Sequence, residues 1–274
     1  MNKPEIVAPI FIIGCHRSGT SIFYRKLALH PDLAYITRTT RRAPNRLVMM
    51  RLFHLFRSKE KNITPIGGEF WNKFDSSQDQ VMRVADVTPK NRIYFERLLR
   101  NHLMYFNRPR FLNKSPSNSV KIDFLNELFP DAVFIHMIRD GRAVARSISV
   151  GRFSHGRFSG AKIPGWQDIL KRPAIESCGL QWKKTVEFIQ ASLEKIPSER
   201  VLAVRYEDFV ARPVEIMQRV GETCGLQWND EILTQVAGGL RSRNYKWKDT
   251  FSQAEIDLLN DLLGRLLTEL GYEV

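Results

Sequence analysis

Residues 9–21 constrain this chain more than any other segment. Pro9-Ile10-Phe11-Ile12-Ile13 is an apolar run of the length of a strand buried on both faces, and it stops at Gly14. Ile22, Phe23, Leu27, Ala28 and Leu29 then recur on one helical face until His30-Pro31 ends the helix. A buried strand, a glycine-bounded loop and a helix in that order commit the chain to the α/β class, because such a strand needs parallel neighbours and helices to cover it.

The unit recurs. A short strand at 111–112 runs to Lys114-Ser115-Pro116, and Ser119 stands where it could cap a helix carrying Val120, Phe124, Leu125 and Leu128. Residues 132–138 form the next strand, Arg139-Asp140-Gly141 turns out of it, and Ala143, Val144, Ser147 and Ile148 continue as a helix. A fourth parallel strand at 201–204 follows a long helix at about 176–195 and precedes another around 214–224. The closing helix opens on Ser252, three residues before Glu255, which is capping-box spacing. The expected fold is α/β: three α/β/α layers around a central parallel sheet, in a single domain over 1–274. Insertions at about 37–86 and 152–173 interrupt the pattern, as segments that shape a site tend to do.

The loop Gly14-Cys15-His16-Arg17-Ser18-Gly19-Thr20-Ser21 lies between the first strand and the first helix, where backbone amides and the helix N-terminus cradle an anion. Its spacing is that of a P-loop, but Thr20 stands where a nucleoside triphosphatase carries Lys, and the cation, Arg17, comes earlier. A triphosphatase needs that lysine to reach the β and γ phosphates beside a magnesium ion, so its absence argues for an anion with fewer charges to neutralise at that end. Farther along, Arg139 leaves a strand end as a fork of donors, and Ser147 projects a hydroxyl from the following helix. Both can meet one phosphate. Arg142 and Arg146, on the same helix, read as solvated or salt-bridged.

The segment Phe11-Ile12-Ile13-Gly14-Cys15-His16-Arg17-Ser18-Gly19-Thr20-Ser21 resembles the P-loop-like 5′-phosphosulfate loop of the sulfotransferases that use 3′-phosphoadenosine 5′-phosphosulfate (PAPS) as donor and release 3′-phosphoadenosine 5′-phosphate (PAP). Many members read Pro at the place of His16. Phe134-Ile135-His136-Met137-Ile138-Arg139-Asp140-Gly141-Arg142-Ala143-Val144-Ala145-Arg146-Ser147 resembles the family's 3′-phosphate grip. Val204-Arg205-Tyr206-Glu207-Asp208-Phe209 is similar to the segment whose Tyr lies near the nucleotide in the protein-tyrosine sulfotransferases. Arg241-Ser242-Arg243-Asn244-Tyr245-Lys246-Trp247 resembles the late loop that closes over the nucleotide, and Leu270-Gly271-Tyr272 is a similar ending. The likeness is greatest to bacterial and protein-tyrosine members and thinnest at 37–110. It implies donor contacts from Arg17, Ser18, Gly19, Thr20, Ser21, Arg139, Ser147, Tyr206 and Lys246.

Sulfuryl transfer requires an in-line attacking oxygen, stabilisation of the leaving phosphate and removal of the acceptor's proton, with no intrinsic need for a metal. Lys114, at a strand end where ligands meet an open sheet, is the candidate for the leaving group, with Arg17 as second cation. The base is less defined. The resemblance implies a Glu shortly after the first helix, where this chain reads Tyr35-Ile36-Thr37-Arg38. Glu69 is the first choice among the remaining acids and Asp86 the second, while His30-Pro31 reads as a structural helix stop.

Composition narrows the partners. With 42 Lys and Arg against 29 Asp and Glu the formal charge is +13, which suits a polyphosphorylated ligand, nucleic acid or an anionic membrane. Between Arg38 and Lys61 eight basic residues alternate with apolar ones against a single acid, Glu60, so 38–61 could lie on a lipid surface. At 43% hydrophobic and 26% charged, the chain is neither disordered nor collagenous. It has no apolar run of bilayer length, and with the first strand so near residue 1 no secretory leader is expected. Three cysteines, Cys15, Cys178 and Cys224, read as reduced and buried, which suits a bacterial cytoplasm. The expected partner is a small-molecule or lipid acceptor bearing a hydroxyl, without specific nucleic acid. The rival readings are a kinase-like phosphotransferase, which should carry the loop lysine and an acidic strand end, and a module that only binds nucleic acid or anionic lipid.

Overall fold

A computed structural model of the chain describes residues 4–37, 39–55, 70–71, 80–150, 158–242 and 244–274. Five strands, β1 (Ile10–Ile13), β2 (Leu33–Tyr35), β3 (Arg110–Lys114), β4 (Val133–Ile138) and β5 (Val201–Arg205), form one sheet in the order β2-β3-β1-β4-β5. Every pairing is parallel. The helices are α1 (Thr20–Leu27), α2 (Leu47–Leu55), α3 (Pro89–Phe106), α4 (Ile122–Leu128), α5 (Gly141–Ser149), α6 (Trp166–Leu170), α7 (Ala174–Leu193), α8 (Tyr206–Ala211), α9 (Pro213–Cys224), α10 (Asp230–Ala237) and α11 (Gln253–Glu269).

The alternation of strand side chains divides the core into the two expected faces. Phe11, Ile13, Phe111 and Phe134 pack with Phe95, Leu98 and Leu99 of α3, Phe124 and Leu125 of α4 and Ile189 of α7. Ile10, Ile12, Leu112, Ile135 and Met137 pack on the other side with Phe23 and Leu27 of α1, Phe209 of α8 and Met217 and Val220 of α9. Trp182 and Val186 of α7 meet α5 and α11 through Val144, Ile148, Leu259 and Leu263. Burying the apolar parts of such side chains stabilises by about 1.5–3 kcal/mol each, which is what orders the layers. The order places the chain reversal between β3 and β4, on either side of β1, so the crevice for a ligand opens at the carboxyl ends of these three strands.

Four of these strands lie where the hydrophobic runs put them. β2, three residues long and on the sheet edge, is too short to leave a run. Ser119 is not a helix cap. It lies in a 3₁₀ turn, Pro116–Val120, whose cap is Ser115, and α4 starts at Ile122 without a side-chain cap. The Ser252–Glu255 capping box is formed. The described parts of the two insertions meet, the Gln80 amide donating to the Lys162 carbonyl and the Lys162 amide to Gln80 Oε1. Cys15, Cys178 and Cys224 are free and buried, and burial pushes the Cys15 and Cys224 thiols up to about 12. Among the described residues no helix is long and apolar enough to cross a membrane.

Candidate active site

The loop after β1 is shaped by two glycines. Gly14 has φ +148°, and a Cβ there would stand 2.5 Å from the Met137 carbonyl oxygen of β4. Ser119 holds it, its hydroxyl accepting from the Gly14 amide at 2.9 Å and donating to the Gly14 carbonyl at 3.1 Å. Gly19 caps α1 at φ +87°, and a Cβ there would lie 2.4 Å from the Tyr206 ring. No side chain caps α1, so its first-turn amides are left for solvent or an anion. Arg17 also takes a left-handed conformation, φ +73°, unusual for a residue with a Cβ, which turns its side chain across the loop. Its guanidinium Nε donates to Ser147 Oγ of α5 at 2.8 Å.

Lys114 closes β3. It is buried, its Nζ donates to Ser21 Oγ at 3.0 Å, and desolvation, with the nearby Arg25 charge second, draws its pKa down from 10.5 to about 8. Arg25 lies on the same face of α1 as Ser21 and donates to the Ser21 carbonyl at 3.2 Å. Arg139 leaves β4 stacked over the Tyr206 ring, 4.5 Å from its centroid, and donates to Asn244 Oδ1 and to the Arg17 carbonyl, each at 3.1 Å. Burial lowers its pKa while Tyr206, Glu207 and Asp140 act in the opposite sense. Arginine starts so far above neutrality that it stays cationic.

These groups line one cavity of about 510 Å³. Arg17, Arg25, Lys114, Arg139, Arg146, Arg241 and Lys246 supply seven cationic side chains, and no carboxylate appears among its described lining residues. Gly19, Thr20, Ser21, Ser147, Tyr206 and Trp247 complete much of the wall. Such a donor set fits a small ligand with several negative charges and a planar ring. Among the described residues no group of three or more His, Cys, Asp and Glu could hold a metal ion.

Nine sequence candidates therefore meet in one place: Arg17, Gly19, Thr20, Ser21, Lys114, Arg139, Ser147, Tyr206 and Lys246. Ser18 does not line the cavity. Its side chain is buried, and its hydroxyl has no hydrogen-bond partner. Glu69 lies outside the described residues. Asp86 is exposed and accepts from the Arg83 amide in a 3₁₀ turn away from the cavity, while the cap of α3 is Thr88. His30 is buried against Trp228, in hydrogen-bond contact with the Gln227 carbonyl at 3.0 Å, the structural role expected of it. Arg142 is buried and paired with Asp140 at 3.0 Å, whereas Arg146 reaches the cavity.

One cavity residue, Arg25, has no place in the sequence reading, and another, His16, has no role assigned there. Arg25 could have been found from its place four residues after Ser21 on a helix. His16 lines the cavity and places Nδ1 2.6 Å from Ser159 Oγ, tying the loop to the second insertion. Burial, then the charges of Arg17 and Lys114, bring its pKa down to about 4, so it is neutral near pH 7.

A model of the sulfotransferase family matches residues 9–230. Protein-tyrosine sulfotransferase A of Caenorhabditis elegans is 27% identical over 227 residues, covering 82% of this chain and 51% of the relative. The nodulation protein NoeE of Sinorhizobium fredii is 22% identical over 286 residues, covering 96% of this chain and 65% of the relative. The chain thus spans about half the length of the protein-tyrosine sulfotransferases it matches. In fold it is similar to sulfotransferase STF9 from Mycobacterium avium, with a TM-score of 0.62 at 16% identity over 98% of this chain and 78% of the other. The sulfotransferase domain from the curacin biosynthetic pathway superposes with a TM-score of 0.55 at 17% identity, covering 98% and 99% of the two chains.

Proposed function

Because the chain belongs to the sulfotransferase family, we propose that it moves the sulfuryl group of PAPS to an acceptor hydroxyl by in-line displacement. The observation that carries this reading is the cavity with seven cations and no carboxylate among its described residues, lined both by the glycine loop and by Arg139 and Ser147. PAPS supplies an activated sulfuryl group on a 5′-phosphate and marks itself with a 3′-phosphate. In this reading the amides of Gly19, Thr20 and Ser21 bind the 5′-phosphate. Arg139 and Ser147 bind the 3′-phosphate. Tyr206, Trp247 and Lys246 enclose the nucleotide.

Lys114 is the residue that stabilises charge on the leaving phosphate, with Arg17 as second cation. Its hydrogen bond to Ser21 holds Nζ at the mouth of the loop, and the protonated form is the useful one. The base that takes the acceptor's proton is assigned to Glu69. Pro116 and His16 line the cavity with Lys114, His16 reaches Ser159 of the second insertion, and that side is assigned to the acceptor. The acceptor class is a small molecule or lipid. Exposed Val48 and Leu52, one turn apart on α2 beside exposed Arg51, support peripheral contact of 38–61 with an anionic membrane from a cytoplasmic location.

Melting temperature decides the donor. A saturating ligand at about 100 times its Kd contributes roughly 2.7 kcal/mol, a rise of about 5–10 °C. PAP is expected to give this rise and 5′-AMP much less, whereas a rise only with ATP and magnesium would replace sulfuryl by phosphoryl transfer. With a labelled donor, Lys114→Ala is expected to lower turnover by about 100-fold or more.

A further inference from the structure

Glu207 lines a different cavity, of about 680 Å³, which shares Trp247 with the basic site. Its carboxylate joins two distant pieces of chain. Oε1 accepts from the Asp140 amide at 3.2 Å, and Oε2 accepts from the Tyr272 hydroxyl at 2.9 Å. Asp140 directly follows Arg139, and Tyr206, whose ring lies under the Arg139 guanidinium, directly precedes Glu207. The first two residues of α8 therefore act on the same arginine from two directions. One supports its guanidinium from below, and the other holds the peptide that follows it.

The same turn is held from the C-terminal segment a second time. Asp140 caps α5 by accepting from the Arg142 amide at 2.8 Å and pairs with the Arg142 guanidinium, which in turn donates to the Glu273 carbonyl at 2.6 Å and to Asn260 at 3.1 Å. Tyr272 is buried, and the Arg205 guanidinium lies 4.2 Å from the centroid of its ring, so its hydroxyl is held in place toward Glu207. A planar guanidinium gains most from a phosphate when both its donors are aimed, and a tilt of the peptide that follows the arginine costs one of them.

We infer that Glu207, anchored by Tyr272, is a positioning residue that aims Arg139, and that this pair sets how strongly the site prefers a nucleotide carrying a 3′-phosphate over one without it. The inference rests on the donor reading above. A merely structural role would weaken all nucleotides together or lower stability alone, so the readout is a ratio.

The test is calorimetric titration of PAP and of 5′-AMP into the full chain and its variants. Glu207→Ala is expected to weaken PAP about tenfold and 5′-AMP less than about twofold, and Glu207→Gln, which retains an acceptor for the Asp140 amide, to restore most of the ratio. Tyr272→Phe removes one hydroxyl and keeps the ring. It is expected to narrow the ratio about threefold, and it decides the matter if Glu207→Ala does not fold. An unchanged ratio in folded variants, or equal loss for both ligands, overturns the inference alone. A wild-type protein without preference for PAP overturns the donor reading and this inference with it.

Discussion

Arg17 and Ser147, 130 residues apart in the chain, are joined by a 2.8 Å hydrogen bond from guanidinium to hydroxyl. The glycine loop and the helix after β4 are thereby linked before any ligand enters, and the two ends assigned to the donor share a contact. Ser147→Ala removes a phosphate donor and also releases Arg17. PAP affinity is expected to fall about tenfold and 5′-AMP affinity by about threefold, since Arg17 serves the 5′ end as well. Titration of both ligands checks it, and a loss confined to PAP would separate Ser147 from Arg17.

Lys114 makes the site sensitive to pH on the alkaline side. Burial first and Arg25 second hold its pKa at about 8, so the free protein loses this charge as pH rises through that value. An anionic ligand favours the protonated form, so binding takes up protons near pH 8. PAP affinity is expected to fall between pH 7.5 and 9.5, by at most about one log unit per pH unit. Lys114→Arg keeps its charge over that range and should flatten the profile. Calorimetry in two buffers of different ionisation enthalpy measures the proton uptake directly, and a flat wild-type profile would leave Lys114 outside the binding of phosphate.

What could be read from the sequence is what is local in the chain. The loop at 14–21 and the Arg139 turn each pack strand end, anion donors and helix start into contiguous residues, so spacing alone reveals them. Ser119 was misread because a serine before a helical pattern looks like a cap, whereas its partner, Gly14, is 105 residues away. Arg25 lies outside the loop motif, and only its spacing of four from Ser21 on α1 marks it for the same site. The three-residue β2 forms through its pairing with β3, with little contribution from its own pattern. The Glu207–Tyr272 contact spans 65 residues and has no local sign at all.

Gly19 leaves no room for a side chain. Its φ of +87° disfavours any residue with a Cβ, and that Cβ would stand 2.4 Å from Tyr206 Cδ2, so the ring that supports Arg139 must move. Gly19→Ala is expected to cost about 1–3 kcal/mol of stability and to weaken PAP more than tenfold. Tyr206→Leu in the same chain removes the rigid ring, and should recover part of the stability without recovering PAP affinity. Denaturant unfolding paired with titration checks both, and full recovery of binding would show that Tyr206 does not support Arg139.

Acid should destabilise the fold through histidines that are neutral inside it. His16, His102 and His136 each have a pKa lowered from 6.5 to about 4, burial being the leading cause in all three. Between those values the unfolded chain binds protons that the folded chain refuses, so stability is full above pH 6.5 and falls as pH drops toward 4. Each such group contributes a slope of up to about 1.4 kcal/mol per pH unit. His136 is the sharpest case: it lies in β4, an interior strand paired on both sides, and its Nε2 is buried without a partner. His136→Leu is expected to reduce the slope between pH 6 and 4.5 by roughly one proton's worth, while its stability at pH 7.5 changes less. Urea unfolding at steps of half a pH unit measures this, and an unchanged slope would mean that His136 keeps its ordinary proton affinity in the folded chain.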